Sequence, residues 1–334
     1  MSLLADRASQ LFLCATIAGG AGIYVWYYLT AICKQPALYL MEGKLSSLVL
    51  QHCTLLRKQY RPPFWVWNPH AQTVLSAMRT LTCRAKYDRQ PIITQDGGTV
   101  ALDWFQPRGL DKIPSDAPIV LILHGLTGGS GEGYCKWMCS CIAAKGWRSV
   151  VLNYRGCAGL ELTSPTLYCA SFTDDVHLAV EEIHHQFPNA RLFAAGYSLG
   201  SLILCKYLAE AANGTWKLKG SGISSAVMVS NPFCMHRSKF IPQIQTPSLF
   251  LIAEDDPFLG HLPIQECKCN KNTVLAVTTR GGHVAFLQGL WPFGTAWMDQ
   301  GGMPKYAELI AGSKDRSLDD DQRISAPTVA PMLL

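Results

Sequence analysis

The sequence predicts an α/β architecture with a mostly parallel, doubly wound sheet, preceded by an N-terminal membrane helix. Three observations carry this prediction. Residues 11–33 contain no charged side chain, short apolar runs alternate with helix-like stretches from residue 118 onward, and the pentapeptide Gly-Tyr-Ser-Leu-Gly occupies residues 196–200. The apolar runs are continuous rather than alternating, as is typical of parallel strands that are covered on both faces.

Residues 1–36 are predicted to form a membrane anchor. At about 1.5 Å per residue, the uncharged run is long enough to cross a hydrocarbon layer of roughly 30 Å. It is also longer than the apolar core of a signal peptide, which has about 7–15 residues. Its second half carries aromatic side chains of the kind found at membrane interfaces, namely Tyr24, Trp26, Tyr27 and Tyr28. We therefore prefer a spanning anchor to a cleaved signal peptide or a buried helix.

The residues alone leave open the side of the membrane on which the rest of the chain lies. Only Arg7 precedes the apolar run, whereas five basic residues follow it, which favours a cytosolic body by the positive-inside rule: Lys34, Lys44, Arg57, Lys58 and Arg61. The sequon Asn213-Gly214-Thr215, in contrast, accepts a glycan only in the lumen. The thirteen cysteines form no recognisable disulfide pattern, and their odd number leaves at least one thiol unpaired.

Four segments are predicted along the chain: the anchor 1–36, a helical and aromatic connector 37–90, an α/β domain 91–300 and a polar, disordered tail 301–334. The domain opens with a hairpin whose turn is Asp96-Gly97-Gly98. Apolar runs then predict strands at 118–123, 149–153, 192–195, 227–230, 249–253 and 274–278, and the stretches between them predict helices at 132–145, 174–186 and 199–212.

Ser198 is the candidate nucleophile, because it lies where a predicted strand breaks directly into a predicted helix. Such a turn strains the backbone and holds the serine hydroxyl clear of the sheet, and the glycines on either side let neighbouring backbone pass close by. A serine hydroxyl is a weak nucleophile by itself. It requires a base, an acid that orients the base, and donors for the oxyanion that develops during the reaction.

The donors are predicted to be the backbone amides of Leu126 and Leu199. Leu126 lies in the loop His124-Gly125-Leu126-Thr127-Gly128-Gly129-Ser130 after the first parallel strand, and Leu199 directly follows the nucleophile. Losing one such donor typically costs about 3 kcal/mol of transition-state stabilisation. The loop lacks the Gly-Lys-Ser/Thr ending of a phosphate-binding loop, so a nucleotide cofactor is not indicated.

The acid and the base are predicted to follow two late strands. Asp255 and Asp256 come directly after the apolar run 249–253, and we prefer Asp256, which precedes a proline, while Asp255 stays as the alternative. His283 follows two glycines on the loop after the last strand. Its imidazole would accept the Ser198 proton while the carboxylate fixes its tautomer. The chain order Ser198, Asp256, His283 is the order that nucleophile-elbow hydrolases use.

Several other classes of function find no support in the sequence. The net charge of +5 comes without a long Lys/Arg block, so nucleic-acid binding is not predicted. The two Cys-x-Cys pairs at residues 139–141 and 267–269 lack the histidine pairs or the second CxxC of a zinc site. We therefore predict no metal and no cofactor. The sequence does not indicate an oligomeric state.

Taken together, these motifs resemble the abhydrolase-domain branch known as family 4 of the α/β-hydrolase superfamily. The resemblance covers roughly residues 11–290. The motifs that carry it are Pro62-Pro63-Phe64-Trp65, His70-Ala71-Gln72-Thr73, the loop at 124–130, Asn153-Tyr154-Arg155-Gly156-Cys157, the elbow at 196–200, Asp255-Asp256-Pro257-Phe258 and Arg280-Gly281-Gly282-His283. It implies an α/β-hydrolase fold, a single-pass and mostly type II membrane topology, an endomembrane location such as the endoplasmic reticulum, and hydrolysis of acyl esters such as phospholipids.

The chain departs from this family in one respect. Only about sixteen residues separate Ser230 from Pro247, where the resemblance implies a helical cap of several dozen residues over the acyl pocket. The sequence thus predicts a membrane-anchored serine hydrolase of lipid esters with a reduced or missing cap. The alternative hypothesis is a catalytically impaired, non-enzymatic membrane variant that lacks a complete acyl pocket.

Overall fold

The computed structural model describes residues 2–107, 113–216, 222–230 and 238–301 together with Tyr306 and Ile310. The described strands are β1 (Ala37–Leu40), β2 (Tyr87–Ile93), β3 (Thr99–Phe105), β4 (Ile119–Leu123), β5 (Arg148–Asn153), β6 (Leu192–Tyr197), β7 (Ile223–Val229), β8 (Ser248–Ala253) and β9 (Thr273–Thr278). The described α-helices are α1 (Ser2–Tyr27), α2 (Lys44–His52), α3 (Pro69–Met78), α4 (Gly133–Ala143), α5 (Asp174–Gln186), α6 (Leu199–Ala212), α7 (Ile264–Lys268) and α8 (Trp297–Gly301).

The described strands form one sheet in the order β1-β9-β8-β7-β6-β4-β5-β3-β2. Strands β4 to β9 run parallel, and β1, β2 and β3 pair with their neighbours in antiparallel fashion. Helices α5 and α6 pack apolar side chains on one face of the sheet, and α2, α4 and α8 pack on the other. The predicted mostly parallel, doubly wound sheet is confirmed, and its carboxyl-terminal edge is where such sheets carry their sites.

Most predicted elements are present with shifted ends. Strand β7 begins four residues before the predicted run, because Ser224 and Ser225 interrupt the apolar pattern while pairing with β6 continues through Ser225. The hairpin β2–β3 has the predicted turn but begins at Tyr87, inside the predicted connector. Polar residues on a paired strand do not alter its hydrogen bonds, so apolar runs underestimate strand length.

The connector was predicted to be helical, but the structure shows that it begins with a strand. Residues 37–40 form strand β1, which pairs antiparallel with β9 and adds an edge to the sheet, with Ala37 opposite Val277 and Leu40 opposite Val274. Helix α2 and the helix α3 follow as expected for the rest of the segment. The segment is therefore part of the sheet and of its covering layer, because Leu45 and Val49 of α2 lie in the core.

One helical run among the described residues, Gln10–Ile32, is long and apolar enough to cross a membrane. It comprises most of α1 and a π-helical turn at Tyr28–Ile32, and its apolar side chains before Tyr28 are exposed. Its last turns contact the aromatic segment 62–67: Tyr28 Oη donates to the Pro62 carbonyl at 2.5 Å, and Trp67 Nε1 donates to Tyr24 Oη at 3.1 Å. The apolar helix thus leaves the domain at this segment.

Two predictions concern parts of the chain that the structure describes only at their edges. Residues 231–237, which form much of the shortened cap region, lie outside the described residues, as do most residues of the predicted tail. Within that tail, however, Tyr306 and Ile310 are helical and buried in the core beside α8. The prediction of a disordered tail is therefore wrong at these two positions, because both side chains contribute to the apolar core.

Candidate active site

Ser198 lies at a sharp turn between β6 and α6. Its backbone adopts φ 51° and ψ −117°, a conformation that is strained for a residue with a Cβ atom. The flanking glycines are required by space: a Cβ on Gly200 would lie 2.3 Å from the Leu123 carbonyl oxygen, and one on Gly196 would lie 2.7 Å from the Gly200 oxygen. The turn thus projects the serine hydroxyl at the carboxyl-terminal edge of the sheet, as the pentapeptide predicts.

The side chains of Ser198, His283 and Asp256 form a continuous hydrogen-bonded chain. His283 Nε2 lies 2.8 Å from Ser198 Oγ, and His283 Nδ1 lies 2.8 Å and 3.0 Å from the two carboxylate oxygens of Asp256. Asp256 is buried and also accepts a hydrogen bond from the Phe258 amide at 2.8 Å. A proton on Nδ1 leaves Nε2 free to accept the serine proton, which is the geometry that general-base catalysis requires.

Asp255, the alternative acid, has a different environment. Its Oδ1 atom accepts a hydrogen bond from the Gly282 amide at 3.0 Å, and its Oδ2 atom lies 3.7 Å from Arg280 Nη1. Burial raises the pKa of this carboxyl, and the Gly282 amide and Arg280 partly offset that effect. Asp255 therefore braces the loop that carries His283, whereas Asp256 contacts the imidazole.

The histidine loop is also held from α3 and from the residue that follows β7. The His283 amide donates to Thr73 Oγ1 at 3.0 Å, and the Val284 amide donates to Ser230 Oγ at 2.8 Å. Gly282 adopts φ 60°, and a Cβ at this position would lie 2.7 Å from the Pro69 carbonyl oxygen. The start of α3 thus packs directly against the backbone that presents the imidazole.

His124 orients the peptide that links Gly125 to Leu126. Its Nδ1 atom lies 2.7 Å from the Gly125 carbonyl oxygen, and its Nε2 atom accepts a hydrogen bond from the Tyr154 amide at 3.4 Å. These partners fix the neutral tautomer with the proton on Nδ1. Burial lowers the pKa of His124 to about 4, so the ring stays neutral at pH 7. In a trans peptide the N–H points away from the carbonyl, so the Leu126 amide faces away from the His124 ring.

Two tyrosine hydroxyls hold the amides on either side of Leu126. Tyr134 Oη accepts a hydrogen bond from the Gly125 amide at 3.0 Å, and Tyr168 Oη accepts one from the Thr127 amide at 3.0 Å. Thr127 adopts φ 56°, a strained value for a threonine. The Leu126 amide lies between these two fixed points, and the Leu199 amide is in the first turn of α6, where helix amides have no intrahelical acceptor.

These residues line a cavity of about 540 Å³ at the carboxyl-terminal edge of the sheet. Ser198 and His283 line it together with both predicted donor residues and with Ala77 and Phe258. The Phe258 ring lies edge-on against the His283 ring, with 4.7 Å between their centroids. The volume is within the range of sites for small organic ligands, about 300–1,000 Å³.

The structure thus brings together all five residues predicted for the site, and it adds residues that sequence reasoning missed. Tyr134, Tyr168, Thr73 and Ser230 support the two functional loops, and none was assigned a role in the site from the sequence. Thr73 and Tyr154 lie within motifs that carried the family resemblance, which is the only signal that marked them. Tyr134 and Tyr168 carry no local signal, because each acts on a backbone amide from another part of the chain.

A family model and known relatives support the fold described above. Residues 118–237 match the family model described as the alpha/beta hydrolase fold. The chain has the α/β-hydrolase fold. It is similar to phospholipase ABHD3 of Homo sapiens, with 29% identity over 358 residues that cover 85% of this chain and 87% of that protein. It is also similar to monoacylglycerol lipase ABHD2 of Mus musculus, with 34% identity over 179 residues that cover 52% of this chain and 42% of that protein. Among solved structures, it resembles esterase Pf2001 of Pyrococcus furiosus with a TM-score of 0.49 and 17% identity, covering 65% and 88% of the two chains.

Tyr134→Phe is expected to lower kcat roughly tenfold with little change in KM. The Gly125 amide loses its hydrogen-bond acceptor, so the neighbouring Leu126 amide shifts away from the oxyanion. The cost should be smaller than the ~3 kcal/mol of transition-state stabilisation that is lost when a donor is removed outright. The phenylalanine ring keeps the packing of Tyr134 on Tyr197, whose centroid lies 4.7 Å away. Steady-state kinetics with a soluble nitrophenyl ester measure the effect. Tyr39→Phe, which removes a hydroxyl from the edge strand β1, is the matched control. A wild-type kcat in Tyr134→Phe would show that this bond does not hold the loop.

Proposed function

We propose that the chain is a membrane-anchored serine hydrolase that cleaves carboxylic esters of lipids, as a member of the abhydrolase family 4 branch. The observation that carries this proposal is the 2.8 Å contact between His283 Nε2 and Ser198 Oγ at the base of an open cavity. Ser198 acts as the nucleophile, His283 as the general base and acid, and Asp256 as the group that orients His283. The amides of Leu126 and Leu199 form the oxyanion hole.

The proposed reaction proceeds through an acyl-enzyme. His283 Nε2 takes the hydroxyl proton as Ser198 Oγ attacks the ester carbonyl carbon, and the carbonyl oxygen becomes an oxyanion that accepts hydrogen bonds from the two amides. The tetrahedral intermediate collapses, and the imidazolium gives its proton to the departing alkoxide. A water molecule then attacks the acyl-serine with His283 again as base, which releases the fatty acid and restores the serine hydroxyl.

A lipid ester is the substrate class that the surroundings favour. Apolar side chains of Leu126, Leu199 and Phe258 flank the nucleophile, and the apolar helix Gln10–Ile32 gives the chain a means of residing at a bilayer. Relatives named phospholipase and monoacylglycerol lipase support the same class. The acyl chain would lie along the apolar walls, because burying a methylene group is worth about 0.8 kcal/mol.

We place the chain in an endomembrane such as the endoplasmic reticulum, as a single-pass protein of type II topology with its domain in the lumen. The sequon residues Asn213, Gly214 and Thr215 are exposed after α6, so this position is accessible to a glycan. The basic residues that follow the anchor favour the opposite orientation. A change in mass on endoglycosidase treatment of the expressed protein is the observation that decides between the two orientations.

The reduced cap remains part of the proposal. The alignment with phospholipase ABHD3 has 358 positions, more than the 334 residues of this chain, although it includes only 85% of the chain. Many aligned positions are therefore gaps in this chain, where the relative carries residues that this chain lacks. An inert variant is the second candidate function, because a missing cap would remove part of the acyl pocket, but the aligned catalytic side chains favour an active enzyme.

The proposal is tested with the full chain reconstituted in vesicles. We expect labelling by a fluorophosphonate probe, release of fatty acid from medium-chain phosphatidylcholine or monoacylglycerol, and turnover of a short nitrophenyl ester. Turnover of the nitrophenyl ester alone would retain the serine hydrolase and reject the lipid substrate. A folded protein with a cooperative thermal transition that neither reacts with the probe nor cleaves any ester would establish the inert variant.

A further inference from the structure

Helix α3 separates the cavity from the protein surface. Its inner side contributes Thr73, Ser76 and Ala77 to the cavity wall. Its outer side carries apolar residues at intervals of four and three, namely Val74, Met78 and Leu81 of the following turn, and all three are exposed to solvent. Exposed apolar residues at helical spacing form a stripe, which runs along the second half of α3 and the following turn, next to the residues that line the cavity.

The stripe continues onto two neighbouring loops. Trp65 Nε1 donates a hydrogen bond to the Leu290 carbonyl at 3.0 Å, and Thr82 Oγ1 donates to the Phe293 carbonyl. These bonds bring further exposed apolar side chains beside the stripe. We call the combined surface the mouth rim, defined as Phe64, Trp65, Val74, Met78, Leu81, Leu290 and Trp291. Contiguous exposed apolar surface of this kind marks an interaction site on a protein or a membrane.

The apolar N-terminal helix ends at this same surface. Tyr24 Oη donates a hydrogen bond to the Phe64 carbonyl, and the rings of Tyr27 and Trp67 lie edge to face with 6.1 Å between their centroids. Arg280 belongs to the loop that carries His283, and its guanidinium carbon lies over the Trp67 ring, 5.4 Å from the centroid of that ring. The point where the helix leaves a bilayer is thus connected through one aromatic segment to the wall of the cavity.

The composition of the rim and its border favours a lipid bilayer over a protein as its partner. Tryptophan and tyrosine with basic residues close by are characteristic of membrane interfaces. Arg57, Lys58 and Arg61 are exposed on the turn that leads to Phe64. Basic side chains beside aromatic residues lie at the level of the lipid headgroups, so these charges support contact of the same surface with a membrane in either orientation of the domain.

We propose that the mouth rim inserts into the interface of the bilayer that the N-terminal helix spans, so that the cavity opens toward the leaflet and receives its ester directly from the membrane. This inference rests on the proposed function, since it identifies the bilayer as the source of the substrate. Lateral entry removes the need to transfer an acyl chain through water. It also gives the exposed apolar side chains around Ser198 a partner that shields them from water.

The test compares two substrates in one preparation of the full chain. For the variant Val74→Ser/Leu81→Ser, we expect hydrolysis of phosphatidylcholine in anionic vesicles to fall roughly tenfold or more, because two apolar side chains that would insert into the bilayer are replaced by polar ones. Hydrolysis of a short, soluble nitrophenyl ester should stay near the wild-type rate. Ile93→Ser is the matched control, because Ile93 is as exposed as Val74, both at 67%, but lies on β2 at the far edge of the sheet. This control should leave both rates unchanged.

A second measurement reads insertion without activity. Phosphatidylcholine brominated in its acyl chains should quench tryptophan emission, and Trp291→Phe should remove part of the quenched signal. Trp26 of the apolar helix is quenched whether or not the rim inserts, so the readout is the difference between the wild-type chain and Trp291→Phe. That difference together with no hydrolysis of either substrate by the wild-type chain would reject the proposed function and retain the inserted rim. Unchanged vesicle hydrolysis in the double variant, an equal loss on both substrates, or a dimer that the double variant abolishes would each overturn the bilayer as the partner of the rim.

Discussion

Ser198→Ala is expected to abolish ester hydrolysis, with kcat falling on the order of 10⁶-fold. The alanine side chain has no oxygen to form the acyl-enzyme, and the hydrogen bond from Ser198 Oγ to His283 is lost. Alanine has the same backbone preferences at this strained turn as serine, so the elbow and the fold should persist. The residual rate would come from the amides of Leu126 and Leu199 acting on an ester attacked by water.

Initial rates with a nitrophenyl ester and labelling by a fluorophosphonate probe measure this effect. Ser201→Ala is the matched control, because Ser201 Oγ lies three residues away and donates to the Ser198 carbonyl at 2.6 Å without facing the imidazole. The control should keep most of its activity and its label. A Ser198→Ala protein that still labels and still turns over ester would contradict the assignment of the nucleophile.

Asp256→Asn is expected to lower kcat by about 10⁴-fold, because the neutral amide stabilises neither the required His283 tautomer nor the imidazolium that forms during the reaction. Asp256 contacts His283 Nδ1 with both oxygens, so the substitution acts directly on the base. Substrate binding should change little. The kinetic signature is therefore a loss in kcat with a KM near the wild-type value.

The neighbouring acid provides the control for this substitution. Asp255→Asn changes the same kind of group on the same loop, but Asp255 binds the Gly282 amide and faces Arg280 rather than the imidazole ring. We expect a loss in kcat of roughly tenfold or less, because only the position of the loop is affected. Equal losses in the two variants would show that the sequence and the geometry assign the acid wrongly.

The parallel part of the sheet was predictable because its strands are buried on both faces. Each of β4, β5, β6, β8 and β9 contains a continuous apolar run that is recognisable in the sequence without knowledge of the neighbouring strands. Strand β1 was not predictable, since Ala37–Leu40 is short and equally compatible with a helix. Its conformation is fixed by pairing with β9, and such tertiary pairing overrides local preference.

The candidate site likewise contains residues that the sequence predicts and residues that it does not. Ser198, Asp256 and His283 are marked by glycine or proline beside them, because the backbone must turn sharply to present each side chain. Tyr134 and Tyr168 have no such mark. They reach the loop at 125–127 from α4 and from the segment after β5, so only the folded chain shows that they bind its amides.

Strand β1 has a consequence for the order in which the domain is completed. It follows the N-terminal helix at once, yet its hydrogen-bonding partner β9 lies near the other end of the chain. At roughly 5–20 residues per second, a ribosome needs on the order of 10–50 s to synthesise the residues between them. During that interval the segment at residues 37–40 is synthesised without its partner. A mutation that slows this late closure would therefore increase the time during which newborn chains are exposed to chaperones and degradation before the sheet acquires its final edge.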